Sequence, residues 1–550
     1  MRTEHSGVSI ASAVLLVALS APISALNNIT ITVHAGQQQV FKGFGTSIDN
    51  WGGFNNLPDA SKDEISRLMW GPAGLNFQVL RLWSYMNRDA ASMAATYGQV
   101  ISYARKYNPD IRLLLAPTAD NPGDLQSYAR HYVDMIAGMR DDHGIVMNAT
   151  GMCNEPNIGD YFTPEGMRDL VKQFREELDS RGLQDVAIVA PEVSSIDPRG
   201  YEYFDAIRND PDAMDALTAI SGHSYNMSMT REMADYVAET GKEYWMTEGS
   251  SNGYEAEKDD YQATKAAARI LSEINLRTNY WVWFFGYGTY RDNDNATQII
   301  AYWRDSGDYV QFLKYYYIQQ ISMVMEPGAL VRTAETDREQ SQDKYMEWTY
   351  GQKPYVTAAA ALNPDSTWGI GVINCTDIGT TDWSDGHCCG DSWYAGDPIG
   401  WGYDAETFDI TVHVEELAKA GDVEFRMYRS NKGSFSVTIN PKEILCFRSV
   451  EPVGVFPVSV RRIAGRGRRE ENVLTFTRAG RQVARLHAVA DGRAAIIDAT
   501  GRTVREFLVS GRHATTFEIA GLPSGTYVVR VEGGGLGSYA RRLLVGPERF

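Results

Sequence analysis

From residue 40 to about residue 290, eight short apolar runs alternate with longer amphipathic segments. Few folds accept that rhythm. The runs are "VFKGFG" (40–45), "FQVLRLW" (77–83), "IRLLLAP" (111–117) and "IVMNATGM" (145–152), then "VAIVAP" (186–191), "LTAISGH" (217–223), "EYWMTE" (243–248) and "YWVWFFG" (280–286). Between them lie stretches such as "DEISRLMW", "PEGMRDLVKQFREELDSRG" and "QATKAAARILSEINLR", whose apolar residues recur at helical spacing after polar starts. Eight strand–helix units of this length predict a (β/α)8 TIM barrel. A doubly wound open sheet is the alternative, but no glycine-rich phosphate loop follows the first run.

The barrel does not account for the whole chain. From about 320 to 455 the sequence turns to short strand-like runs, among them "YVTAAAAL", "TWGIGVINC", "FDITVHV" and "ILCFRSV", which predict a side β-sandwich. "NITITVHAG" near the other end has the same character and is expected to complete that sandwich. The composition shifts again near residue 461. Residues 461–550 carry 16 Arg, no Lys and 8 Asp plus Glu, although the whole chain has a net charge of -18. A basic linker, "RRIAGRGRRE", opens this stretch, and alternating runs such as "TYVVRVEGG" predict a small C-terminal all-β module. The expected organisation is 1–25 signal peptide, 26–39 N-terminal sandwich strand, 40–318 catalytic barrel, 319–460 sandwich and 461–550 linker with the β module.

Residues 1–25 read as a secretory signal peptide: Arg2 and His5 precede the apolar "SAVLLVALSAPI", and small residues follow. No later stretch offers the ~20 apolar residues of a membrane span. The acidic balance argues against nucleic acid as a partner. The expected location is therefore secreted, extracellular or cell-surface. Export permits disulfides, and among Cys375, Cys388, Cys389 and Cys446 at least one pair is expected to be bridged. Adjacent cysteines in "HCCG" lack zinc-ligand spacing, and Cys153 reads as buried and inert.

In a barrel of this kind the active site is built from the C-terminal strand ends. Those ends offer Trp51 after the first run, Arg81 and Trp83 on the second, and Asn154 with Glu155 after the fourth. His223 and Tyr225 follow the sixth, Glu248 ends the seventh and Trp283 lies in the eighth. Two carboxylates at one mouth suit glycoside cleavage, one protonating the departing oxygen and the other attacking the anomeric carbon or activating water. Trp283 and Trp51 can stack on a sugar ring, although Trp51 and Trp83 could equally be packing. Glu192, in "PEVSS", could cap the next helix. An ionised Glu248 nearby is expected to raise the pKa of Glu155. No strand-end histidine cluster or dinucleotide fingerprint appears, so neither metal nor cofactor is expected.

The motifs "NEP" (154–156) and "TE" (247–248) resemble the acid/base and nucleophile motifs of the clan A retaining glycoside hydrolases. Within that clan "FKGFGTSIDNW", "GHSYN", "WVWFFG" and "QQISMVMEPGALVRT" resemble family 30 glycoside hydrolases, over roughly residues 29 to 450. The resemblance implies Glu155 as acid/base, Glu248 as nucleophile and Asn154 as a contact for the sugar 2-hydroxyl. It also implies that Tyr225 hydrogen-bonds the nucleophile and that Arg81 supports its ionised state. Some family 30 xylanases read a glucuronate branch with an arginine near the position of Arg291. "APTADNPGDL" replaces the tryptophan-containing loop that many members have after strand three. "DATGRTV" and "LPSGTYVVRV" resemble type IX secretion sorting domains, which implies the secretion machinery as a partner.

The expected function is a secreted retaining β-glycoside hydrolase, endo-acting on plant polysaccharide such as xylan. An endo-β-1,6-galactanase or β-1,6-glucanase is the alternative. A non-catalytic carbohydrate-binding protein is the rival from another class, but it would not need both glutamates.

Overall fold

The computed structural model describes residues 28–48, 53–118, 124–158, 161–194, 196, 198–225, 229–250, 259–290, 297–337, 355–377, 405–417, 425–427, 436–450, 452, 475–478, 483–487, 492–497, 503–509, 515–518, 525–532 and 538–545. Trp51, Arg291, Cys388, Cys389 and the expected signal peptide lie outside the described residues. The chain divides into two compact units, 1–457 and 458–550.

In the first unit a closed, all-parallel barrel is formed by Gly43–Ser47, Val79–Tyr85, Arg112–Thr118, Ala149–Thr150, Ala187–Val193, Ala219–His223, Glu243–Gly249 and Thr278–Trp283. The last strand pairs with the first through Tyr280–Gly43 and Trp283–Thr46. Helices follow the strands in turn: Asp59–Trp70, Ala90–Tyr107, Leu125–His143, Pro164–Ser180, Pro198–Arg208 with Pro211–Ala216, Arg231–Thr240 and Asp259–Asn275. Their starts are chemically marked. Asp124, Thr163 and Thr230 each accept a hydrogen bond from a backbone N–H of the first turn. Asp89 and Ser92 form a reciprocal capping box. Val79, Leu114, Ala149, Val189, Ala219, Trp245, Tyr280 and Val282 form one buried cluster contributed by seven of the eight strands.

The first apolar run is not a single strand. Val40–Phe41 pairs antiparallel with Ala329–Leu330 in the sandwich, and the barrel strand begins at Gly43, whose φ of 116° turns the chain between them. The barrel therefore starts three residues later than the pattern suggests. Two sheets make the sandwich. In one, Asn28–Val33 lies parallel to Phe408–Val414 and antiparallel to Ala334–Thr336. The other runs Phe425–Met427, Ile444–Ser449, Trp368–Asn374, Val356–Leu362, Ala329–Arg332, Val40–Phe41. Ile29, Ile31, Val33, Trp368, Phe408 and Phe447 share its core. Cys153, Cys375 and Cys446 are buried, and no disulfide joins described residues. The second unit holds a three-stranded sheet and a four-stranded sheet, both antiparallel. Among the described residues no helix is long and apolar enough to cross a membrane.

Candidate active site

The fourth strand contributes only Ala149 and Thr150 to the barrel pairing, after which the chain bends into the mouth. Gly151 N–H still donates to Leu115 O (2.8 Å) and Asn154 N–H to Pro117 O (2.7 Å), so the segment stays bound to strand three. Glu155 then takes a left-handed backbone, φ 50°. That conformation costs a glutamate on the order of 1 kcal/mol and aims its side chain into the mouth. The turn is fastened to the end of strand five. Glu155 N–H donates to Glu192 O (3.0 Å). Asn157 Nδ2 donates to Ser194 Oγ (3.0 Å), and Ser194 N–H to Asn157 Oδ1 (2.9 Å).

Glu248 faces it from the end of strand seven, only 3% exposed. Arg81, wholly buried on strand two, donates to Glu248 Oε2 through Nη1. Tyr225 donates its hydroxyl to Oε1 at 2.5 Å. With both oxygens held, the carboxylate cannot rotate freely, and its charge is balanced in place. Through Nη2, Arg81 also donates to Asn154 Oδ1 (2.8 Å), which leaves the Asn154 amide N–H groups for another acceptor. The guanidinium lies over the Trp83 ring, 4.9 Å from its centroid. Donor atoms of Glu155, His223 and Glu248 all lie within 4.8 Å of one another. A metal ion could use such a set, but the Arg81 guanidinium already sits on Glu248, and a second cation there would be repelled.

The two glutamates have different surroundings. Desolvation by burial pushes the Glu155 carboxyl up to about 7, with the Arg81 charge pulling the other way. The direction matches the expectation, but burial rather than the charge of Glu248 is the cause. His223 Nδ1 lies 3.0 Å from Glu155 Oε1. Burial lowers the His223 pKa to about 4, so the ring is neutral in the working range. It can therefore exchange a hydrogen bond with Glu155 in either protonation state without adding charge. Tyr225 is raised well above its ordinary value by burial and by Glu248, and stays a donor. A pH dependence follows. A reaction in which Glu155 serves as the acid needs its proton, which is lost as pH rises through about 7. The profile of kcat/KM should therefore fall on its basic side near pH 7, and Glu155→Gln should abolish that limb. A limb well above pH 9 would contradict the assignment.

The structure brings Arg81, Asn154, Glu155, His223, Tyr225 and Glu248 to one mouth. It does not place Trp283 there as a platform. That ring is 1% exposed, stacks on Trp281 at 5.5 Å and donates its Nε1–H to Thr297 O (2.7 Å), so it is a packing residue. The neighbouring Phe284 and Phe285 are half-buried, and Phe284 meets Trp83 edge-on at 5.7 Å. Glu192, which the sequence offers as a strand-end carboxylate that could equally cap the next helix, also belongs to the mouth. It is completely buried, with Oε1 3.4 Å from Arg81 Nη2. The sign in the sequence was its position directly after an apolar run, where a carboxylate enters the mouth rather than solvent.

A (β/α)8 barrel with one glutamate just after strand four and an arginine-bound glutamate ending strand seven has the carboxylate pair of a glycoside hydrolase. Comparison with known proteins agrees. Residues 84–302 match the model of glycosyl hydrolase family 59. A putative glucosylceramidase of Caenorhabditis elegans is 25% identical over 343 residues, covering 51% of this chain. This chain spans 64% of the length of that relative. The fold is similar to that of a family 30 subfamily 8 xylanase from Clostridium acetobutylicum, with a TM-score of 0.53 and 18% identity over 77% of this chain and 99% of the other. An endo-β1,6-glucanase gives a TM-score of 0.54 and 18% identity, over 77% of this chain and 94% of the other.

Proposed function

We propose that the barrel hydrolyses β-glycosidic bonds within a plant-type polysaccharide, with retention of configuration. The supporting observation is the close approach of Glu155 and Glu248, whose facing atoms lie within 4.8 Å. Retention needs carboxyl groups ~5–5.5 Å apart, whereas inversion needs ~6.5–9.5 Å to admit a water. Glu155 donates its proton to the departing oxygen as Glu248 attacks the anomeric carbon. In the second step Glu155 takes a proton from water, which displaces the sugar from Glu248. Asn154 offers an amide donor to the sugar beside the nucleophile.

Xylan is the first substrate to test, and β-1,6-linked galactan or glucan the second. A second reading rests on the loop that carries the acid. Ile158 is 67% exposed and Tyr161 41% exposed, three and six residues beyond Glu155 in the chain. Two exposed apolar residues so close to the acid suit an apolar leaving group, as in a glycolipid. Product analysis on xylan, β-1,6-galactan, β-1,6-glucan and glucosylceramide decides between them. Oligosaccharides from a polysaccharide support the first reading, and hydrolysis of glucosylceramide alone supports the second. Export through the apolar N-terminal run and the basic C-terminal module is part of the same proposal. A chain truncated near Val460 should then keep its activity and fail to leave the cell.

A further inference from the structure

Arg81 holds the nucleophile but is itself held by a second acid that the reaction does not otherwise use. Glu192 follows the fifth strand's apolar run, where a register irregularity between Pro191 and Val193 and a φ of 60° turn its side chain inward. Its carboxylate is completely buried and ion-paired with Arg81 Nη2 at 3.4 Å. Its Oε2 has no hydrogen-bonding partner among the described residues. The space it fills is reserved, because a Cβ at Gly151 would lie 1.7 Å from Oε2. Its backbone carbonyl accepts the Glu155 N–H. One residue therefore touches both the arginine of the nucleophile and the backbone of the acid.

We propose that Glu192 is a positioning residue, the second counter-charge of Arg81, which keeps Glu248 from being fully neutralised by the arginine. The inference rests on the retaining reading given above. Arg81 from strand two and His223 from strand six feel the charge of Glu192, and Glu155, Tyr225 and Glu248 line the same mouth. With His223 neutral and Glu155 protonated, one guanidinium serves two carboxylates. Without Glu192 the whole positive charge falls on Glu248, which becomes a poorer nucleophile. The mouth also loses negative charge that would stabilise the oxocarbenium-like transition state.

The test is the pH profile of kcat/KM for an aryl β-glycoside that the wild-type chain hydrolyses, measured for Glu192→Gln. Glu155 feels the charge of Arg81, and once Glu192 no longer offsets that charge Glu155 should deprotonate at lower pH, which moves the basic limb down. The maximum should fall on the order of tenfold, mainly in kcat. Glu192→Asp withdraws the charge from Arg81 without removing it, so its basic limb should move the same way by less. That variant serves if Glu192→Gln does not fold. A basic limb that stays at the wild-type position in the variant that folds would overturn the inference while leaving the retaining reading intact. A wild-type product of inverted configuration would overturn that reading, and the inference with it.

Discussion

Glu248→Ala should lose turnover on every substrate, by roughly 10⁴-fold or more, because no other carboxylate can form the covalent intermediate. Glu155→Ala should behave differently. A leaving group such as 2,4-dinitrophenolate needs no proton, so the first step survives while the second loses its base. A rapid burst followed by slow turnover is the expected trace, and added azide, which attacks without base help, should restore turnover as a glycosyl azide. For a substrate with a sugar leaving group both steps suffer. The contrast depends on the different roles of the two residues. If Glu155→Ala and Glu248→Ala lost the same factor on activated and unactivated substrates alike, the division of labour would be wrong.

Arg81→Met should do nearly as much damage, by another route. The guanidinium is wholly buried between Glu248, Glu192 and Asn154, so its loss leaves two buried carboxylates unpaired. Breaking such a buried set costs about 3–5 kcal/mol. The same change removes one of the two groups that fix the Glu248 carboxylate, with activity expected to fall about 10²–10³-fold. Arg81→Lys should recover little, since an ammonium cannot reach Glu248 and Asn154 with a rigid fork. Thermal unfolding and kcat/KM together check the point. A variant that kept wild-type stability while losing activity would show that the arginine is not the structural centre of the mouth.

The sequence made the barrel and six of its mouth residues readable for a physical reason. Apolar runs alternating with amphipathic helices admit few topologies, and in this topology the chemistry lies just beyond each run. Glu155, Glu248 and Arg81 could be found by position alone. What failed was the facing of individual side chains. All six residues of Thr278–Trp283 are buried, because a barrel strand is covered on both sides, so no alternation separates Trp281 and Trp283 from a ligand-facing ring. The half-buried Phe284 and Phe285 beyond them were passed over. Position alone leaves Glu192 open between mouth and helix cap, because the backbone irregularity that turns it inward leaves no mark in residue types. The first run was read as one strand, although Gly43 divides it between sandwich and barrel.

The central claim is that Glu248 attacks the anomeric carbon while Glu155 stands by as acid and then base. Proton NMR of the first-formed product, recorded before mutarotation, tests it most directly. A β-linked substrate should release a β-configured reducing end that then equilibrates, because two displacements restore the starting configuration. An α-configured first product would mean a single displacement by water, and would contradict Glu248 as the nucleophile.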